Sequence, residues 1–168
     1  MPATANIHKD QRVGVFVDVQ NLYYSAKNLY NTKVNFREIL KAAVIGRQLI
    51  RAKAYVIKAD VKDESNFFEA LENIGYEVAS KDLQVFVGGA KKGDWDIGIA
   101  MDAIELAPRL DTIIIVSGDG DFLPLLQHLR RALGCRVEVM AFGKTCSKKL
   151  IEESDRFIDL DLSKRFLI

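Results

Sequence analysis

Residues 13–18, VGVFVD, form an almost unbroken apolar run that closes on a carboxylate. A strand with one face in water alternates polar and apolar positions, so a run of this kind belongs in the middle of a sheet covered on both faces. Helices must supply the two covering layers, and the rest of the chain provides them in alternation with strands. Helical patterning over 21–31 is followed by a second helix capped by Asn35 and closing near Gly46. Strand 52–59 (AKAYVIKA) precedes a helix over 63–73 stopped by Gly75. Short strands are expected at 76–79 and 83–87, then a glycine-rich loop over 88–93 and a helix over 94–107 ending at Pro108. Strand 112–116 (TIIIV), the turn SGDGD, a helix over 122–133 closed by Gly134, strand 136–142, a short helix near Lys148–Glu153 and a last strand near 157–160 complete the series. Alternation of this kind predicts an α/β fold with a mainly parallel central sheet and right-handed crossovers.

A chain of 168 residues suits one domain with a real core. We expect a flexible N-terminal segment over 1–12, the domain over 13–160 and a short C-terminal tail over 161–168. A hydrophobic content of 49% with 28% charged residues argues against disorder. The net charge of +1 offers no global basic field, so any nucleic-acid contact must come from a local patch. Cys135 and Cys146 belong to no CxxC or Cys/His cluster, which fits a reduced chain and argues against zinc. No apolar run reaches the roughly 18–20 residues needed to span a bilayer. The polar N-terminus lacks the apolar core of a signal peptide. The expected location is the cytoplasm.

The chemistry gathers on carboxylates. In open parallel α/β sheets, ligands sit beyond the carboxyl ends of the strands. Asp18 closes the first strand, and Asp119 and Asp121 follow strand 112–116 in a turn whose glycines permit tight geometry. In the 94–107 helix, Asp94, Gly98, Asp102, Glu105 and Arg109 fall within about 80° of one another, a polar stripe whose plain reading is solvent. Asp96 shares its face instead with Ala100, Ala103 and Ala107, small residues that pack closely on a sheet, and so points inward. Like charges raise one another's pKa, and four carboxylates at one rim need compensation. A hard divalent cation, Mg²⁺ or Mn²⁺, supplies it through oxygen ligands. Asp18 and Asp119 are the expected inner ligands. Asp96 and Asp121 would complete the shell or orient a nucleophilic water for in-line attack on a phosphodiester.

Each residue also has a plainer reading. Asp121 precedes Phe122-Leu123-Pro124 and could be an N-cap; Asp96 could complement a helix dipole; Asn21 could bond first-turn backbone. Tyr23 and Tyr24 could stack on bases, but in an amphipathic helix such residues are more often core. Lys92 and Lys144, with Lys91, Arg130-Arg131 and Lys148-Lys149, could grip phosphates or simply be solvated. Several motifs fail outright. Gly118-Asp119-Gly120-Asp121 begins like a dinucleotide fingerprint, but Leu123 holds the third glycine position. Asp119-x-Asp121 begins like a calcium loop, yet its fifth, sixth and twelfth positions are Leu123, Pro124 and Arg130, where ligands at the fifth and twelfth and a turn glycine at the sixth are required. Gly143-Lys144-Thr145 resembles the end of a P-loop whose first glycine is Glu138. A haloacid-dehalogenase-type phosphatase needs its Asp-x-Asp after the first strand, where this chain has Asp18-Val19-Gln20.

Taken in order, FVDVQNLY (16–23), KKGDWDIGIAMDA (91–103) and VSGDGDFLPLL (116–126) closely resemble the NYN domain family, in particular its LabA-like bacterial branch. NYN domains are relatives of PIN and FLAP nucleases. The resemblance implies a single Rossmann-like, PIN-like three-layer domain and divalent-metal cleavage of RNA, with single-stranded RNA the expected partner. It puts the family's acidic site on Asp18, Asp96, Asp119 and Asp121, with Asn21 as companion and Ser117 as the small hydroxyl after the strand. Ser117, Lys92 and Lys144 are the expected substrate contacts. A non-catalytic module binding RNA or a nucleotide at the same rim is the alternative, and a homo-oligomer or protein partner is left open.

Overall fold

The computed structural model describes residues 7–58, 64–85, 91–92 and 94–168. In chain order the elements are β1 (Arg12–Asp18), α1 (Val19–Tyr30), α2 (Phe36–Val44), β2 (Gln48–Lys58), α3 (Glu64–Ile74), β3 (Glu77–Asp82), β4 (Gln84–Val85), β5 (Lys91–Lys92), α4 (Asp96–Leu106), β6 (Thr112–Val116), α5 (Leu123–Gln127), β7 (Arg136–Ala141), α6 (Lys148–Glu153) and β8 (Arg156–Asp159). Six strands form one sheet in the order β3-β2-β1-β6-β7-β8, every neighbouring pair parallel. Counted within this sheet alone, the order is that of a doubly wound Rossmann fold. The chain builds outward from β1 to β3, then returns to the other side of β1, so the order reverses between β1 and β6.

The apolar run of β1 serves both faces. Val13, Val15 and Val17 pack with Leu22 and Ala26 of α1, Ile39 and Ala43 of α2 and Leu71 of α3. Phe16 points to the opposite layer, where Ile99 and Ala103 of α4, Leu125 and Leu126 of α5 and Leu150 of α6 cover Ile113 and Ile115. Gly14 faces this second layer too, and a Cβ there would stand 2.6 Å from Leu110 Cδ1. These two apolar layers make the three-layer α/β arrangement that the sequence predicts.

The differences from expectation are local. α1 starts directly after Asp18 rather than at 21, and α4 starts at Asp96 rather than 94. The predicted helix over 122–133 is three pieces: a 3₁₀ turn at Gly120–Phe122, α5, and a π-helical turn at His128–Ala132. Their apolar spacing is nearly the same, so the pattern does not separate them. Within the predicted 88–93 loop, residues 88–90 and 93 lie outside the described residues, while Lys91–Lys92 form a strand antiparallel to β4. Residues 161–168 are no loose tail, because Phe166 is buried and Leu167 bridges Val34. The early residues of the 1–12 segment lie outside the described residues, but Arg12 already belongs to β1, anchored by Asp111 at 3.0 Å.

One buried charge cluster ties the α2–β2 loop to the sheet. Glu138 of β7, fully enclosed, accepts two hydrogen bonds from Arg47, at 2.8 and 2.9 Å. It also accepts from Arg136 at 3.1 Å and Arg156 at 3.2 Å. Burial alone pushes this carboxyl up, but the Arg47 hydrogen bonds and surrounding guanidinium charges overcome it and hold Glu138 below its ordinary value.

Candidate metal centre

The β1–β6 register explains why the acids meet. Val17 pairs with Val116, so Asp18 and Ser117 leave the ladder side by side at its carboxyl end. The Ser117 hydroxyl donates to Asp18 Oδ2 at 3.1 Å and accepts the Asp119 N–H at 3.2 Å. Asp119 caps the next turn, its Oδ1 accepting the Asp121 N–H at 2.9 Å. Asn21 braces the other side. Its N–H donates to Asp18 Oδ1 at 3.3 Å, and its side-chain oxygen accepts the Gly118 N–H at 3.0 Å. Asp18 thus caps α1 and lines the cleft at the same time.

Asp96 arrives from the other layer. α4 begins without a side-chain cap, but Trp95 pins that end by donating its indole N–H to the Val56 carbonyl at 2.8 Å and packing 5.4 Å from the Tyr55 ring. Gly98 permits this, because a Cβ there would stand 2.5 Å from the Trp95 ring. Ala103 and Ala107 are buried beneath the helix, as the periodicity predicts for the Asp96 face. Asp102 does not point to solvent; it bonds Lys53 and the Tyr55 hydroxyl, each at 2.7 Å, and takes no part in the cleft.

The result is a cleft of about 390 Å³ lined by Asp18, Asn21, Asp94, Asp96 and Asp119 among others. One carboxylate oxygen each from Asp96, Asp119 and Asp121 lies within 4.8 Å of the other two. Asp18 is not part of this trio but lines the same cleft beside Asp119. Burial pushes the Asp18 carboxyl up, the Asn21 and Ser117 hydrogen bonds oppose that, and the Asp119 and Asp94 charges reinforce it. Burial, then the charges of Asp119, Asp94, Asp18 and Asp121, push Asp96 up to about 6. An all-oxygen set this close fits a hard divalent cation: Mg²⁺–oxygen bonds of about 2.0–2.1 Å would span it with small side-chain adjustment.

The expected substrate contacts fare differently. Ser117 is fully buried, so its hydroxyl organises Asp18 and Asp119 and does not reach a ligand in the cleft. Lys144 lies over the Tyr30 ring at 5.3 Å, and it is Thr145 that lines the cleft. The Lys92 side chain lies outside the described residues. Sequence reasoning did not place Asp94, Gln20, Tyr24 or Asn28 in the lining, nor single out Trp95, which pins the start of α4. The helical spacing of Gln20, Tyr24 and Asn28 and the lone tryptophan between two aspartates were the available signals. Ser117→Ala removes two hydrogen bonds beside a buried carboxylate and is expected to cost about 1–3 kcal/mol. Urea denaturation checks this, and an unchanged midpoint would refute it.

The fold is a PIN-like three-layer α/β domain with an acidic cleft at its switch point, and the NYN domain profile matches residues 12–161, so the chain belongs to the NYN domain family. It is 26% identical to "Low amplitude and bright protein LabA" of Synechococcus elongatus, over 95% of this chain and 89% of that protein. A crystal structure of a protein of unknown function from Vibrio parahaemolyticus superposes with a TM-score of 0.87 at 34% identity, covering 97% of this chain and 99% of the other. No helix among the described residues is long and apolar enough to cross a membrane.

Proposed function

We propose that this chain is a divalent-metal-dependent ribonuclease that cleaves single-stranded RNA. The carrying observation is the Asp96–Asp119–Asp121 trio at the β1–β6 switch point, with Asp18 in the same cleft. Asp96, Asp119 and Asp121 would hold Mg²⁺ or Mn²⁺, which supplies Lewis-acid activation of water and phosphate. Asp18, locked by Ser117 and Asn21, keeps a fixed direction and is suited to orienting the attacking water. Membership of the NYN family supports RNA as the polymer. The two free cysteines, Cys135 and Cys146, fit a reducing compartment and support a cytoplasmic site of action.

The direct test is incubation of a labelled single-stranded RNA with Mn²⁺ or Mg²⁺, with and without chelator. Chelator-sensitive product is expected; binding without product under either metal would replace the nuclease by a binding module. A second readout avoids turnover. At about 100 times its dissociation constant, Mn²⁺ should stabilise the fold by about 2.7 kcal/mol, several degrees in Tm. The sign with pH follows from Asp96. Its folded value near 6 lies above the ordinary 3.8, so in the metal-free protein its contribution to stability is present below 3.8 and lost as pH rises through 6. Metal competes with that proton, so the Mn²⁺-induced Tm shift should grow between pH 5 and 7. A flat profile in differential scanning fluorimetry would count against Asp96 as a ligand.

A further inference from the structure

The acidic cleft continues past its carboxylates. Gln20 and Tyr24 line it and also line a larger groove of about 680 Å³ along α1. That groove is walled by Tyr23, Phe36, Phe67, Phe68 and Leu83, and Lys33 reaches it. α1 turns Val19, Leu22 and Ala26 to the core, which leaves the adjacent Tyr23 and Tyr24 facing out. Both rings are about half exposed, at 44% and 51%, against the expectation that such residues are core. They stand edge to face, 5.3 Å apart, with the Lys27 ammonium 5.9 Å from the Tyr23 ring centre. From Asp18 to Tyr24 the helix advances about 9 Å, at 1.5 Å per residue. A base next to a phosphate in the cleft is therefore within reach of these rings.

We propose that Tyr23 and Tyr24, with the groove beside them, form a stacking platform for the bases of a single strand whose phosphate lies in the acidic cleft. This rests on the ribonuclease reading for the phosphate and adds the element that recognises the base. The cleft itself is a poor source of strand affinity, because its carboxylates repel a phosphate wherever a cation does not intervene. An aromatic surface grips any base through its π face, and only an unpaired strand offers that face, so the platform selects single-stranded over duplex RNA. Lys27 and Lys33 stand where flanking phosphates would run. Continuity with the carboxylates, through the shared Gln20 and Tyr24, favours a nucleic-acid strand over an apolar peptide or a second copy of the chain.

The test measures binding apart from cleavage. Fluorescence polarisation in Ca²⁺ compares the full chain against a labelled dodecauridylate, a base-free ribose-phosphate oligomer of equal length and an RNA duplex. The uridylate should bind at least about tenfold more tightly than either comparator, as stacking energies per base imply. A Tyr23→Ala/Tyr24→Ala variant should lose that margin with unchanged affinity for the base-free oligomer, and Tyr23→Phe/Tyr24→Phe should retain it. Equal affinity for uridylate and base-free oligomer, no saturable uridylate binding, or an alanine variant that binds like wild type would each overturn the platform. So would sedimentation showing that the alanine variant only dissolves a dimer. The two readings fail separately. Mn²⁺-dependent cleavage with no base preference overturns the platform alone, whereas base-dependent binding with no product under any metal overturns the nuclease alone.

Discussion

Asp119→Asn is expected to lower Mn²⁺-dependent RNA cleavage about a thousandfold while leaving the fold intact. Asparagine keeps the oxygen that accepts the Asp121 N–H, and it caps helical turns as well as aspartate does. What disappears is one of the three charges of the trio. A catalytic metal contributes several kcal/mol of transition-state stabilisation, and each 1.36 kcal/mol is a factor of ten in rate. Removing the Asp119 charge also relieves part of the repulsion that, together with burial, raises Asp96, so the metal-free variant should melt no lower than wild type. Single-turnover cleavage and a thermal melt check both halves. Wild-type turnover would remove Asp119 from the chemistry. A large fall in Tm would mean that its cap, not its charge, matters most.

The largest effect on stability is expected from Glu138→Gln. The substitution conserves shape but leaves Arg47, Arg136 and Arg156 around an uncharged amide, with the Arg47 and Glu138 side chains at 0% exposure. Removing one member of a buried ion pair costs about 3–5 kcal/mol. For a chain of this size that lowers Tm by roughly 6–20 °C. The pH dependence has a definite sign. Glu138 is depressed below its ordinary 4.5, so its contribution is present above 4.5 and lost as pH falls through the lower folded value. Wild type should therefore lose stability below pH 4.5 by a step that Glu138→Gln lacks. Calorimetry across pH 3–7 tests this, and parallel curves for the two proteins would contradict it.

Some of this was legible in the sequence because the signal was local. VGVFVD encodes burial on both faces in its composition alone. Asp96 could be separated from Asp102 because its face is written in alanines at helical spacing. Where the cause is distant, the sequence is silent. Asp102 is held by Lys53, 49 residues away, and Glu138 by Arg47, 91 residues away. Asp94 falls in a solvent stripe only if the helix begins there, and it starts two residues later, at Asp96. The core expectation for Tyr23 and Tyr24 rests on the average behaviour of aromatic residues, but α1 follows β1 directly and turns Val19, Leu22 and Ala26 to the sheet instead.

The strand order has a consequence for biosynthesis. β1 sits between β2 and β6, and the site needs β1 on one side and the turn after β6 on the other. A nascent chain that has emerged only as far as Arg109 holds Asp18 and Asp96 but lacks Asp119 and Asp121. It also carries β1, whose Val13, Val15, Phe16 and Val17 are fully enclosed in the finished protein, with one hydrogen-bonding edge open. An open apolar edge of that kind invites strand addition from other chains. Capping that edge and assembling the carboxylates are the same event, the arrival of β6. The carboxylates can therefore meet before β7 and β8 have been added, and the open edge passes outward from β6 to the short strand β8.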